Sequence, residues 1–139
     1  MSIEIGAELV AEIRAHGEET FPHECCGFLL GALSASGGRC CGATQRMANE
    51  TAETPERRFL ITPRAYLAAD RAARQRGLDI VGFYHSHPDH PAEPSAFDLE
   101  HAWPNLSYII VSVRGGRSAE MRCWVLAPDR SRFDEEPLV

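Results

Sequence analysis

The run Leu78-Asp79-Ile80-Val81-Gly82-Phe83-Tyr84 passes without a break into His85-Ser86-His87-Pro88 and then meets two more prolines, Pro91 and Pro94. The first half reads as a strand, being short, apolar and rich in β-branched and aromatic residues. The second half, His85 to Pro94, is expected to be irregular, because each proline removes a backbone donor and fixes its own φ. A chain containing this passage has to build a sheet whose strand ends in a stiff loop carrying histidines. Side chains repeat every second residue along a strand, so His85 and His87 point to the same face. Two imidazoles on one face can grip one cation. Asp98, separated from His87 by ten residues, offers a carboxylate brought back by the proline-stiffened loop.

The rest of the chain supplies the layers such a strand needs. Residues Gly6 to His16 carry Leu9, Val10 and Ile13 at helical spacing, and Phe21-Pro22 closes that helix. Cys25 to Leu33 reads as a buried strand. The segment Ser34-Ala35-Ser36-Gly37-Gly38 is a turn, and Arg39 to Met47 returns as a second strand. Asn49 to Glu56 is polar and expected to be a loop, followed by a short third strand, Arg58 to Ile61. Thr62-Pro63 opens a helix with a capping hydroxyl and a proline in the first turn, and Gly77 ends it. Ser95 to Ala102 reads as a short helix. Ser107 to Val113 and Glu120 to Leu126 form a hairpin across the turn Arg114-Gly115-Gly116. The order α-β-β-β-α-β-α-β-β, with neither repeat nor linker, predicts one domain over residues 1–139 of α/β (α+β) class, a mixed sheet covered by helices.

Composition narrows the function classes. The 139 residues, 44 % hydrophobic and 24 % charged, are ordinary for a globular domain. A net charge of −6 and a pI near 5.5 give no support to nucleic-acid binding. Part of that acidity is local, in the tail Asp134-Glu135-Glu136. No apolar run approaches the roughly 20 residues that span a bilayer. The start, Met1-Ser2-Ile3-Glu4, lacks the basic and apolar segments of a signal peptide, so a cytoplasmic protein is expected. Five cysteines fit a reducing compartment. Cys25-Cys26 and Cys40-Cys41 are adjacent pairs without C-x-x-C spacing, and read as small buried hydrophobes in strands.

Two imidazoles and a carboxylate on zinc leave a fourth position open, which marks a catalytic rather than a structural site. The segment lacks a general base, and Glu24, at the start of the first strand beside small residues, is the leading candidate. Each part also has a plainer explanation. His85 and His87 can be strand-end histidines satisfied by hydrogen bonds. Ser95-Ala96-Phe97-Asp98 fits the S-x-x-[DE] box that caps a helix, and a glutamate before a strand is usually just solvated. His90 and His101 are spare imidazoles able to compete for the third ligand place. His101 shares a helix face with Asp98.

Taken together, Glu24, His85-Ser86-His87-Pro88 and Ser95-Ala96-Phe97-Asp98 resemble the JAMM motif of the MPN (Mov34/PAD-1) metallopeptidases: a glutamate, then H-[ST]-H-P, then S-x-x-D at fixed spacing. The likeness continues through Pro22 to Gly31 and through Trp103 to Tyr108. It implies the curved mixed sheet of that family, akin to the cytidine-deaminase architecture. It also implies zinc as cofactor on His85, His87 and Asp98, Glu24 as the proton shuttle and Ser95 as donor to the oxyanion. Ser86, between the two histidines, is expected to support the ligands. Family members cleave amide bonds after the C-terminal Gly-Gly of ubiquitin-like proteins. This chain resembles the small prokaryotic-type members, so the expected partner is a ubiquitin-like or sulfur-carrier protein, with release of cysteine as one variant. A zinc nucleobase deaminase would need H-x-E and P-C-x-x-C, and this chain has neither a His-x-Glu near a metal pair nor any C-x-x-C. A non-catalytic scaffold module of the same fold would be expected to lack a motif residue.

Overall fold

The computed structural model describes residues 2–35, 37–49, 59 and 61–139. Among these residues ten elements follow one another: β1 (Ile3–Ile5), α1 (Ala7–Thr20), β2 (Cys26–Leu33), β3 (Arg39–Met47), α2 (Pro63–Gln75), β4 (Asp79–Pro88), α3 (Ala96–Glu100), β5 (Ser107–Arg114), β6 (Arg117–Leu126) and β7 (Phe133–Glu136). They build one mixed seven-stranded sheet in the order β1-β3-β2-β4-β5-β6-β7, parallel at β1–β3 and β4–β5 and antiparallel elsewhere. The sheet curls until its ends meet. The Ile3 amide donates to the Pro137 carbonyl, the Ile5 amide to Val139, and the Val139 amide to Ile3, so the segment after β7 closes a seam against β1.

β4 is central, and nearly all of it is buried, as a strand paired on both edges and covered on both faces must be. On one face Val81 and Tyr84 join Ile3, Ile13, Leu29, Ile109, Val111 and Val113 beneath α1. On the other, Ile80 and Phe83 pack with Phe28, Leu30, Tyr108 and Leu126 beneath Ala69 and Ala73 of α2. Burying each such aliphatic side chain contributes roughly 1.5–3 kcal/mol. Gly27 of β2 is required by the first of these cores. A Cβ there would sit 2.2 Å from the Tyr84 ring, whose hydroxyl lies 2.7 Å from His16 Nδ1 of α1.

Several expectations are corrected. The first helix runs on from His16 to Thr20, with Phe21 as its C-cap, and both His16 and Gly17 are buried. His85 to Pro88 is strand rather than irregular loop. Pairing with β5 through Pro88↔Val113 keeps it extended, and a proline as a strand's last residue sacrifices only one ladder bond. Of the expected third strand, Phe59 and Ile61 belong to no strand, while Arg58 and Leu60 lie outside the described residues, as do residues 50–56 of the expected loop. The strands β1 and β7 were not expected. In the acidic tail Glu136 is buried, accepting from Ser107 Oγ and from Cys123 Sγ, 3.9 Å from Arg39 Nη1. The five cysteines form no disulfide among the described residues, and Cys40 is only half-buried. Cys25 precedes β2 rather than lying in it. The helix α2 starts as expected, with Thr62 Oγ1 accepting from the Ala65 amide and Gly77 at φ +71° just past its end.

Candidate metal centre

The alternation of β4 sends Phe83, His85 and His87 to the α2 face and Tyr84 and Ser86 to the α1 face. Asp98 comes back to the histidines from α3. Ser95 caps that helix: its Oγ accepts from the Asp98 amide at 3.0 Å, while Asp98 Oδ2 accepts from the Ser95 amide at 2.9 Å. This reciprocal box is the plainer explanation for Ser95-Ala96-Phe97-Asp98, and it is real. It does not exhaust Asp98. The same Oδ2 lies 3.2 Å from His85 Nε2 and 3.2 Å from His87 Nε2, and the two Nε2 atoms are 3.1 Å apart. The helix cap therefore aims a carboxylate oxygen at both imidazoles.

Hydrogen bonding alone leaves this triangle poorly satisfied. His87 Nδ1 lies 2.8 Å from the Pro91 carbonyl. A carbonyl only accepts, so Nδ1 carries a proton, and in the neutral ring Nε2 turns a lone pair toward Asp98. His85 is fully buried, and its Nδ1 has no partner. With both rings neutral, three atoms able to accept converge in a buried place with at most one proton to share among their contacts. A tetrahedral ion with bonds of about 2.0–2.1 Å spaces its ligand atoms roughly 3.3–3.4 Å apart, close to the observed edges. The donor set of two imidazoles and one carboxylate fits a divalent zinc-like ion with one position open.

Electrostatics agree with a site made for positive charge. Burial works against ionised Asp98, yet the flanking imidazoles outweigh it and hold its carboxyl well below the ordinary range. For His87 burial again opposes charge, and the Asp98 contact reverses it, raising proton affinity. His85, more deeply buried, is pushed down despite Asp98.

Glu24 sits just before β2 and is 3 % exposed. Its ligand atom and those of His85 and His87 lie within 4.8 Å of one another. Asp98 Oδ2, 3.2 Å from both nitrogens, is a second carboxylate within reach of the same pair. Glu24 Oε1 is buried without a partner, and burial, reinforced by the Asp98 charge, pushes the carboxyl up to about 8. Such a group suits proton transfer near neutral pH.

Two cavities flank the centre. A polar one is lined by Glu24, His87, His90, Pro91, Glu93 and Ser95. The other, of about 210 Å³, is an aromatic groove beside His85 that includes Phe59, Tyr66, Phe97 and Trp103. Phe59 stacks on the His85 ring at 4.4 Å, and Trp103, half-exposed, lies parallel to Tyr66. The spare imidazoles are not drawn to the triangle. His101 Nδ1 is spent on the Phe97 carbonyl, and His90 is an exposed wall of the polar cavity. The aromatic groove escaped the sequence reading. Its residues come from three separate segments, and only the stacking geometry reveals them.

The chain is similar to several known proteins. A family model described as prokaryotic homologs of the JAB domain matches residues 6–127. A desampylase of Haloferax volcanii is 38 % identical over 99 residues, covering 70 % of this chain and 68 % of that protein. A probable TtuB-protein conjugate cleaving protease of Thermus thermophilus is 37 % identical over 65 residues, 47 % of this chain and 44 % of that protein. A solution structure of a Salinibacter ruber protein superposes with a TM-score of 0.78 at 46 % identity, covering 100 % of this chain and 90 % of that one. The chain belongs to the prokaryotic homologues of the JAB domain, the small prokaryotic side of the JAMM/MPN family that its motif resembles.

Proposed function

We propose that this protein is a zinc-dependent metallo-isopeptidase. It hydrolyses the amide bond after the C-terminal Gly-Gly of a ubiquitin-like or sulfur-carrier protein, releasing a lysine-linked partner or a cysteine. One observation carries the reading: His85, His87 and Asp98 turn three acceptor atoms toward one point, and a desolvated carboxyl, Glu24, waits beside it. The relatives named desampylase and TtuB-protein conjugate cleaving protease support the substrate class.

His85, His87 and Asp98 hold the metal in this reading. Zinc, when bound, supplies a Lewis acid for the scissile carbonyl and acidifies water from a pKa of about 15.7 to about 7. Glu24 accepts the proton of the attacking water and delivers it to the leaving amine, and its burial keeps it basic enough to do both. Ser95 Oγ is fixed as acceptor from the Asp98 amide, so its hydroxyl hydrogen is left to stabilise the oxyanion. The aromatic groove beside His85 gives apolar side chains of the tail a wall to lie against.

The test is incubation of the zinc-loaded protein with two probes, followed by mass measurement. One is a ubiquitin-like protein joined through its terminal Gly-Gly to a lysine side chain, and the other bears a C-terminal cysteine. Loss of the appended mass, absent in zinc-bound Glu24→Gln, is expected. Unchanged masses with both probes, or full activity in Glu24→Gln, would overturn the reading.

A further inference from the structure

Ser86 stands between the two histidines but faces the other way. It is fully buried on the α1 face, against Gly17. The antiparallel register of β2 on β4 pairs Cys26 with His85, and continuing it sets Cys25 opposite Ser86 and Glu24 opposite His87. In such a ladder a hydrogen-bonded pair exchanges two main-chain bonds. Here only one forms, from the Ser86 amide to the Cys25 carbonyl at 3.2 Å. The reciprocal donor, the Cys25 amide, goes instead to the Ser86 hydroxyl at 2.8 Å. A side chain has taken the place of a backbone carbonyl, at the point where β2 leaves the ladder and one residue from Glu24. Neither hydrogen bond touches His85 or His87 side chains.

The geometry points to Ser86 as the positioning residue for Glu24, and not as a support for the metal ligands. Its hydroxyl acts as a spacer and latch on the reverse side of the sheet. It pins the Glu24-Cys25 peptide so that the Glu24 carboxyl projects onto the metal face. Without the hydroxyl, the Cys25 amide either closes onto the Ser86 carbonyl or stays unpaired. Both alternatives move the backbone of Glu24. Asn49 Nδ2 holds the Glu24 carbonyl at 3.3 Å and is a weaker second tether. The inference rests on the role proposed for Glu24 above.

The experiment compares wild type, Ser86→Ala, Glu24→Gln and the double variant on the lysine-linked Gly-Gly probe. Zinc content and amide exchange at Cys25 are read in parallel. Ser86→Ala should bind one zinc per chain, exchange the Cys25 amide faster and keep KM within twofold. Its kcat should fall about 10–100-fold, the range typical of lost supporting contacts. The double variant should be no slower than Glu24→Gln, because both changes act through one carboxyl. Loss of zinc in Ser86→Ala, or losses that multiply in the double variant, would overturn the assignment. Should Ser86→Ala fail to fold, Ser86→Cys keeps the volume with a weaker acceptor and is read by the same criteria. A wild type that cleaves nothing refutes the proposed function. A cleaving wild type matched by Ser86→Ala refutes only the positioning role.

Discussion

Replacing Glu24 by glutamine should stabilise the metal-free protein in alkaline solution while abolishing cleavage by the metal-loaded one. The carboxyl is 3 % exposed and Oε1 has no hydrogen-bond partner, so ionisation in the folded state is penalised. Burial lifts its protonation midpoint from 4.5 to about 8. The folded protein therefore holds this proton more tightly than the unfolded chain. Below pH 4.5 both states are protonated and Glu24 behaves like its amide isostere. As pH rises from 4.5 to 8 the unfolded chain releases the proton first, and stability is lost. Above pH 8 the loss is complete, on the order of 3–5 kcal/mol. Glutamine cannot ionise and is spared it. Chelator-treated wild type and Glu24→Gln should unfold at nearly the same urea midpoint at pH 4.5. At pH 9 the variant should require clearly more urea, with an unchanged m-value. A gap that is the same at both pH values, or a wild type that is the more stable at pH 9, would refute the claim that Glu24 is desolvated, and with it the argument for Glu24 as base.

Ser95→Ala removes a helix cap and the proposed oxyanion donor together. It should cost about 1 kcal/mol, or roughly 3–4 °C in melting temperature, while kcat falls about 10²–10³-fold, and calorimetry beside steady-state kinetics separates the two effects. Gly27→Ala places a Cβ 2.2 Å from the Tyr84 ring edge. Overpacking of about 1–3 kcal/mol, added to a strained His16–Tyr84 contact, should lower the melting temperature by roughly 5–10 °C, and an unchanged melt would show that Tyr84 can move aside. Trp103→Ala strips the outer wall of the aromatic groove. KM for the Gly-Gly probe should rise about tenfold with kcat within twofold, and an unchanged KM would mean that the tail runs elsewhere.

The residues of the candidate site were legible because they obey two short-range rules. Side chains two apart on a strand share a face, which unites His85 with His87, and a capping box fixes its third residue in space, which aims Asp98. Glu24 was legible only as a candidate. Its nearness to the histidines depends on β2–β4 pairing across some sixty residues of chain, information that local pattern does not hold. The extension of β4 through Pro88 was missed because proline was weighed as a breaker, while pairing with β5 decided the backbone. β1 and β7 are three and four residues long. Segments that short carry too little periodicity to stand out, and only their neighbours in the sheet make them strands. Ser86 faced the same limit. Its place in the sequence suggested a service to the ligands beside it, whereas the alternation of the strand turns it to the opposite side.

The seam between β1 and the residues after β7 has a consequence for the order in which the molecule can assemble. Ile3 and Val139 are separated by almost the entire chain, and closing a loop of that length costs roughly 4 kcal/mol in chain entropy. The reward is three main-chain hydrogen bonds and the burial of Ile3, too little to precede the hairpins β2–β3 and β5–β6, which join near neighbours. Closure must therefore come late, after the central strands have set the curvature that brings the ends together. Until then Arg39 and Glu136, which lie under the seam, remain in water, and the energetic cost of burying their charges falls on the final step of folding. The strand β4, which carries the candidate site, pairs with β2 and β5 and not with either partner of the seam, so that part of the sheet can be organised before the termini lock it.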